Sequence, residues 1–130
     1  MNKDLIDSLI NKARESSENA YCPYSNKPIG CALWVEGNKL FGGCNIENSV
    51  LSVSLEAGEV AVSKAISEGY TKFLGICFYS ENDMPFPSGK TLQLLFEFSD
   101  MMQVIVASEV DFVLKQLYEF LPYRPSPLEV

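Results

Sequence analysis

Gly43-Cys44-Asn45-Ile46-Glu47-Asn48, followed after seven residues by Glu56-Ala57-Gly58, is the stretch that organises this chain. Lys39 to Cys44 reads as a strand, and Asn45 to Ser54 as a polar loop of small residues. Leu55 to Glu68 then changes period, with Ala57, Val60, Ala61 and Ala65 on one helical face and Gly69 suited to end the helix. Upstream, Ile29 to Val35 is apolar and strand-like, and Glu36-Gly37-Asn38 turns it into a hairpin with Lys39 to Cys44. Downstream, Phe73 to Tyr79 is almost continuously apolar, as a strand buried on both faces requires.

Further out, Leu5, Ile6, Leu9, Ile10 and Ala13 fall at helical spacing, so residues 4–17 read as an amphipathic helix. Ala20 to Lys27 and Ser80 to Pro87 read as loops, and Ser88 caps a third helix through Phe98. Met102 to Ala107 is a strand, Asp111 to Leu114 a short strand, and Gln116 to Phe120 a helical turn before Pro122. Helices alternating with strands predict an α/β sandwich of two or three layers, with a mixed sheet in one domain, residues 1–130. The opening hairpin is antiparallel. The later strands, joined through helices, are expected to run parallel.

A net charge of -7 repels phosphate backbones, and no basic stripe with interleaved aromatics offsets it, so no nucleic-acid partner is expected. No apolar run approaches a membrane span, and Met1-Asn2-Lys3-Asp4 does not begin a signal layout. Cys22, Cys31, Cys44 and Cys77 are scattered without C-x-x-C spacing, which fits small thiols in a reducing compartment better than a zinc ribbon or disulfide frame. A cytoplasmic protein with a small ligand or a protein partner is expected. The chain has no histidine, which removes the commonest general base.

Four segments resemble the homotetrameric type of cytidine deaminase. They are Ala20 to Gly30 (AYCPYSNKPIG), Gly43 to Asn48 (GCNIEN), Ser63 to Gly69 (SKAISEG) and Glu119 to Pro122 (EFLP), in family order. The resemblance implies a cytidine-deaminase-like α/β/α sandwich with a mixed sheet of about five strands. It also implies a zinc held by three thiolates, a zinc-bound hydroxide and a glutamate that shuttles protons. The family's motifs for these are Cys-Ala-Glu and Pro-Cys-Gly-x-Cys. Here the first reads Glu56-Ala57-Gly58 and the second Pro87-Ser88-Gly89-Lys90-Thr91. The thiolate positions are thus Glu56, Ser88 and Thr91, and the proton shuttle is Gly58. One carboxylate and two neutral hydroxyls suit zinc poorly, so neither metal, cofactor nor catalytic residue is expected.

In place of the metal, Glu56 is expected to cap its own or the facing helix and pair with Lys90. The plainer alternative leaves both side chains in solvent. Ser88-Gly89-Lys90-Thr91 also offers N–H groups, hydroxyls and a lysine at a helix start, as an anion site would. A P-loop is excluded, because the glycine expected five residues before Gly89 is Met84. By resemblance, Asn45 and Glu47 match the pair that grips ribose hydroxyls. Otherwise Asn45 shapes its loop and Glu47 is a solvated charge. The sugar grip is thus retained and the grip on the base is not: Lys27 stands where the family has phenylalanine, Pro125 takes the place of the tail aromatic, and Tyr123 replaces it only with different geometry.

The leading expectation is an inactive homologue that binds a nucleoside, a nucleotide or a protein partner through Asn45, Glu47, Lys27, Glu56 and Lys90. By resemblance it assembles as a homo-oligomer, tetramer or dimer, or as a mixed oligomer with an active homologue. Leu94, Leu95, Phe96, Phe98, Leu117, Phe120 and Leu121 serve either that assembly or the core. A second expectation is zinc-independent nucleoside processing, such as glycosidic-bond hydrolysis with Glu47 and Glu56 as paired carboxylates and Glu59 nearby. The third is residual cytidine deamination.

Overall fold

The computed structural model describes residues 1–123, 125, 127 and 128. Its elements in order are α1 (Lys3–Ser17), β1 (Gly30–Val35), β2 (Lys39–Cys44), α2 (Ala57–Ser67), β3 (Phe73–Tyr79), α3 (Gly89–Phe96), β4 (Gln103–Ala107), β5 (Phe112–Gln116) and α4 (Leu117–Phe120). The five strands form one mixed sheet in the order β2-β1-β3-β4-β5. β1 pairs antiparallel with both β2 and β3, whereas β3 and β4 run parallel. β5 returns antiparallel to β4, since the few residues between them are too short for a crossover.

Alternation along the strands sorts side chains onto two faces. Leu33, Ile76, Phe78, Val104 and Val106 pack with Ala61, Ala65, Leu92 and Leu95 of α2 and α3. Ala32, Cys77, Tyr79, Ile105 and Ala107 pack with Leu9 and Ala13 of α1. The result is three layers, with α1 on one side and α2 and α3 on the other. α1 begins where Asn2 Oδ1 accepts the Leu5 N–H at 2.9 Å, with Asp4 and Arg14 placed to suit its dipole. Two glycines set the spacing of the layers. A Cβ on Gly30 would lie 1.8 Å from the Ala13 carbonyl oxygen, and one on Gly43 would lie 2.5 Å from that of Ala57.

Several boundaries differ from expectation. α2 starts at Ala57 because Leu55 is held in an isolated antiparallel bridge with Ile46, leaving Glu56 as the N-cap. The loop before it contains a 3-10 turn, Leu51–Val53. α3 ends at Phe96, and Phe98 N donates to Leu95 O in a closing turn. Of the apolar residues offered for assembly, Leu95, Phe96 and Leu117 are buried core, and Leu94, Phe98, Phe120 and Leu121 pack against it. Among the described residues, no helix is long and apolar enough to cross a membrane.

Candidate functional site

A cavity of about 470 Å³ opens where β2 and β3 end and the starts of α2 and α3 face each other. That volume lies within the range of small-molecule pockets. Asn45, Glu47, Glu56, Ala57, Gly58, Phe78 and Thr91 line it, with Tyr24, Leu51, Leu55 and Phe86 among its other walls.

Asn45 is nearly buried and its amide works within the loops. Oδ1 accepts the Ile29 N–H at 2.9 Å, and Nδ2 donates to Lys27 O at 3.0 Å. Glu47 Oε1 accepts the backbone N–H groups of Tyr24 at 2.9 Å and Ser25 at 3.0 Å. The Ser25 side chain, together with these amides, holds the Glu47 carboxyl below its ordinary value. Both residues therefore clamp the 21–29 segment onto the loop after β2, and both still line the cavity.

Glu56 is the carboxylate at the helix starts. Its Oε2 accepts the Ser88 hydroxyl hydrogen at 2.9 Å, and Ser88 Oγ in turn accepts the Thr91 N–H at 3.3 Å. Glu56 also forms a capping-box arrangement with Glu59, whose Oε1 accepts the Glu56 N–H at 3.1 Å. The ion pair expected between Glu56 and Lys90 is made instead by Glu59, with Lys90 Nζ 3.2 Å from Glu59 Oε2. The reason is capping. Glu59 turns back toward the N-cap, and that brings its second oxygen within reach of Lys90. The anion expected at Ser88-Gly89-Lys90-Thr91 is likewise met from within, since the Glu56 carboxylate faces Ser88.

Two of the five expected ligand contacts lie elsewhere. Lys27 points to Asp83, with Nζ 3.8 Å from Oδ2, and lines a separate polar groove. Lys90 is not part of the cavity wall. Tyr123 is 96% exposed and is not part of the cavity wall. Pro125 O accepts from Gln93 Nε2 at 3.4 Å. Phe86 supplies an aromatic wall that the sequence reading missed. The available signal was its position between Pro85 and Pro87, which hold a short loop extended.

Thr91 is fully buried, and among the described residues its Oγ1 has no hydrogen-bond partner. Its methyl faces Gly58, where a Cβ would lie 2.7 Å from Thr91 Cγ2 and 3.0 Å from Phe78 Cε1. Replacing Thr91 by Val exchanges the unpaired hydroxyl for a methyl group. The expected result is a gain of about 1 kcal/mol, read as a higher melting temperature. A lower melting temperature would show that the hydroxyl has a partner.

This donor set does not fit a thiolate-held zinc. Glu56 is engaged by Ser88, and Ser88 and Thr91 are neutral hydroxyls. No cysteine lines the cavity, and burial pushes the Cys77 thiol up to about 12 and Cys31 well above its usual value. Among the described residues, no three His, Cys, Asp or Glu side chains cluster as metal ligands.

Residues 1–76, more than half of the chain, match the family described as Cytidine and deoxycytidylate deaminase zinc-binding region. A probable cytidine deaminase of Dictyostelium discoideum is 36% identical over 124 residues, covering 94% of this chain and 84% of the relative. The chain belongs to the cytidine deaminase family. Another family relative, a cytidine deaminase of Sporosarcina psychrophila, is 36% identical over 94 residues, 72% of this chain and 69% of its own. In three dimensions, the cytidine deaminase of Burkholderia pseudomallei superposes with a TM-score of 0.86 at 29% identity, over 94% of this chain and 98% of that one. That of Mycobacterium leprae gives 0.80 at 27%, over 91% and 98%.

These likenesses overturn the expectation of an inactive homologue. Relatives 36% identical over most of this cytidine deaminase family chain carry the name of the enzyme. The expectation passed from missing ligands directly to missing activity. Yet the cavity, two of its carboxylates and both helix starts are built.

Proposed function

We propose that this protein takes a cytidine-type nucleoside into the cavity and deaminates it by hydrolysis, without a thiolate-held zinc. The supporting observation is the open cavity that brings Glu56, Glu47 and Asn45 together in a chain matched over 94% of its length by a relative named a probable cytidine deaminase. In the reaction, water adds to C4 of the base, and the amino group leaves as ammonia. The products are uridine and ammonia. Glu56 takes one proton from the attacking water and passes it to N3 of the base, then moves the second from the new C4 hydroxyl to the amino group, which leaves as ammonia. Its hydrogen bond from Ser88 fixes the carboxylate at the helix starts. Glu47 and Asn45 face the ribose, where Glu47 offers an ionised acceptor. Phe86 and Phe78 flank the base.

The exposed apolar rim, including Leu51 at 82% and Phe86 at 58% exposure, suits coverage by a second copy. The free cysteines suit a reducing, cytoplasmic setting.

The test is direct: purified protein is incubated with cytidine, and uridine is followed by chromatography alongside ammonia. Equal amounts of both products are expected. Free cytosine without ammonia would overturn deamination in favour of glycosidic cleavage, and unchanged cytidine would overturn the reaction altogether.

A further inference from the structure

We infer that the starts of α2 and α3 are fastened to each other by side chains alone, so that this fold forms and persists without a metal. Where the family would place one ion between two helix starts, this chain has two separate bridges. The first is the Ser88 hydroxyl on Glu56 Oε2 at 2.9 Å. The second is Lys90 Nζ on Glu59 Oε2 at 3.2 Å. Each bridge also closes a cap. Glu59 Oε1 holds the Glu56 N–H, and Ser88 Oγ holds the Thr91 N–H. Two carboxylates therefore stand at two helix N-termini, where the partial positive charge of the dipoles favours them. Glu59 is 15% exposed and Lys90 66%, so the carboxylate is held within the fold while the ammonium end of the pair meets solvent.

The space between the helices is also occupied. The Thr91 methyl and the Phe78 ring stand so near Gly58 that even a Cβ there would meet Thr91 Cγ2 at 2.7 Å. Bridges, caps and packing converge on one point from different residues. A metal at this point would find one carboxylate, Glu56, already accepting the Ser88 hydroxyl, and no thiolate.

The inference concerns the fold and is independent of the proposed reaction. It is tested on the full chain by metal analysis of the purified protein and by thermal melts with and without a strong zinc chelator. Far less than one metal per chain and coincident melts are expected. Glu59→Gln and Lys90→Met should each lower the melting temperature by about 3–6 °C, and the double variant should fall no further than either single one. One zinc per chain, a chelator-induced drop, or additive losses in the double variant would overturn the inference. Turnover of cytidine is measured on the same samples. Chelator-resistant turnover by a chain whose melt falls with the chelator leaves deamination standing and sinks the metal-free bridge. A chelator-resistant fold with no turnover does the reverse.

Discussion

Glu56→Gln is expected to lower ammonia release from cytidine by about 10²–10⁴-fold while leaving the melting temperature close to that of the native chain. Glutamine keeps an oxygen that accepts the Ser88 hydroxyl, so the bond at 2.9 Å survives the change. It cannot take up a proton. The ion pair across the helix starts belongs to Glu59 and Lys90 and is untouched. Stability and turnover thus separate at adjacent capping residues, with Glu56 carrying the proton and Glu59 carrying the bridge. Undiminished ammonia release in the glutamine variant would remove Glu56 from the mechanism. A large fall in melting temperature would show instead that its charge holds the fold.

Gly30→Ala is expected to destabilise the protein by about 3 kcal/mol, a drop of roughly 10 °C in melting temperature. The added Cβ would lie 1.8 Å from Ala13 O, 2.7 Å from Ser17 N and 2.9 Å from Ala13 C. All three are backbone atoms, so no side chain can rotate aside. α1 would have to lift from β1, with Leu9 and Ala13 withdrawn from the second core cluster. Gly89→Ala is the control, since nothing lies within 4 Å of a Cβ there. Equal melts for the two variants would mean that α1 does not seat on β1 at this distance.

The fold was legible because burial patterns are local. Phe73 to Tyr79 announces a strand covered on both faces, and the Glu36-Gly37-Asn38 turn fixes the pairing of Val35 with Lys39. The start of α2 was missed by two residues, because the Ile46–Leu55 bridge joins segments whose propensity shows no sign of pairing. At the site, resemblance to the family's motifs singled out Asn45, Glu47 and Glu56, and all three line the cavity. Their partners were not legible. Whether Lys90 meets Glu56 or Glu59 depends on how a capping glutamate turns, a difference of one helical turn within the same face. Lys27 was placed in the pocket by position alone, yet its long side chain swings to Asp83. Phe86 escaped notice because a single aromatic in a proline loop has no periodicity to betray it.

The contact between Gly58 and Thr91 constrains how this sequence can change over time. A glutamate introduced at 58 has no room while Cγ2 of Thr91 would stand 2.7 Å from its Cβ. Serine at 91 removes that carbon and leaves only the edge of Phe78, the far end of a ring able to yield a few tenths of an ångström. The order of steps therefore matters: 91 must shrink before 58 can grow. While threonine stands at 91, the glycine at 58 is guarded by its neighbour as by a ratchet.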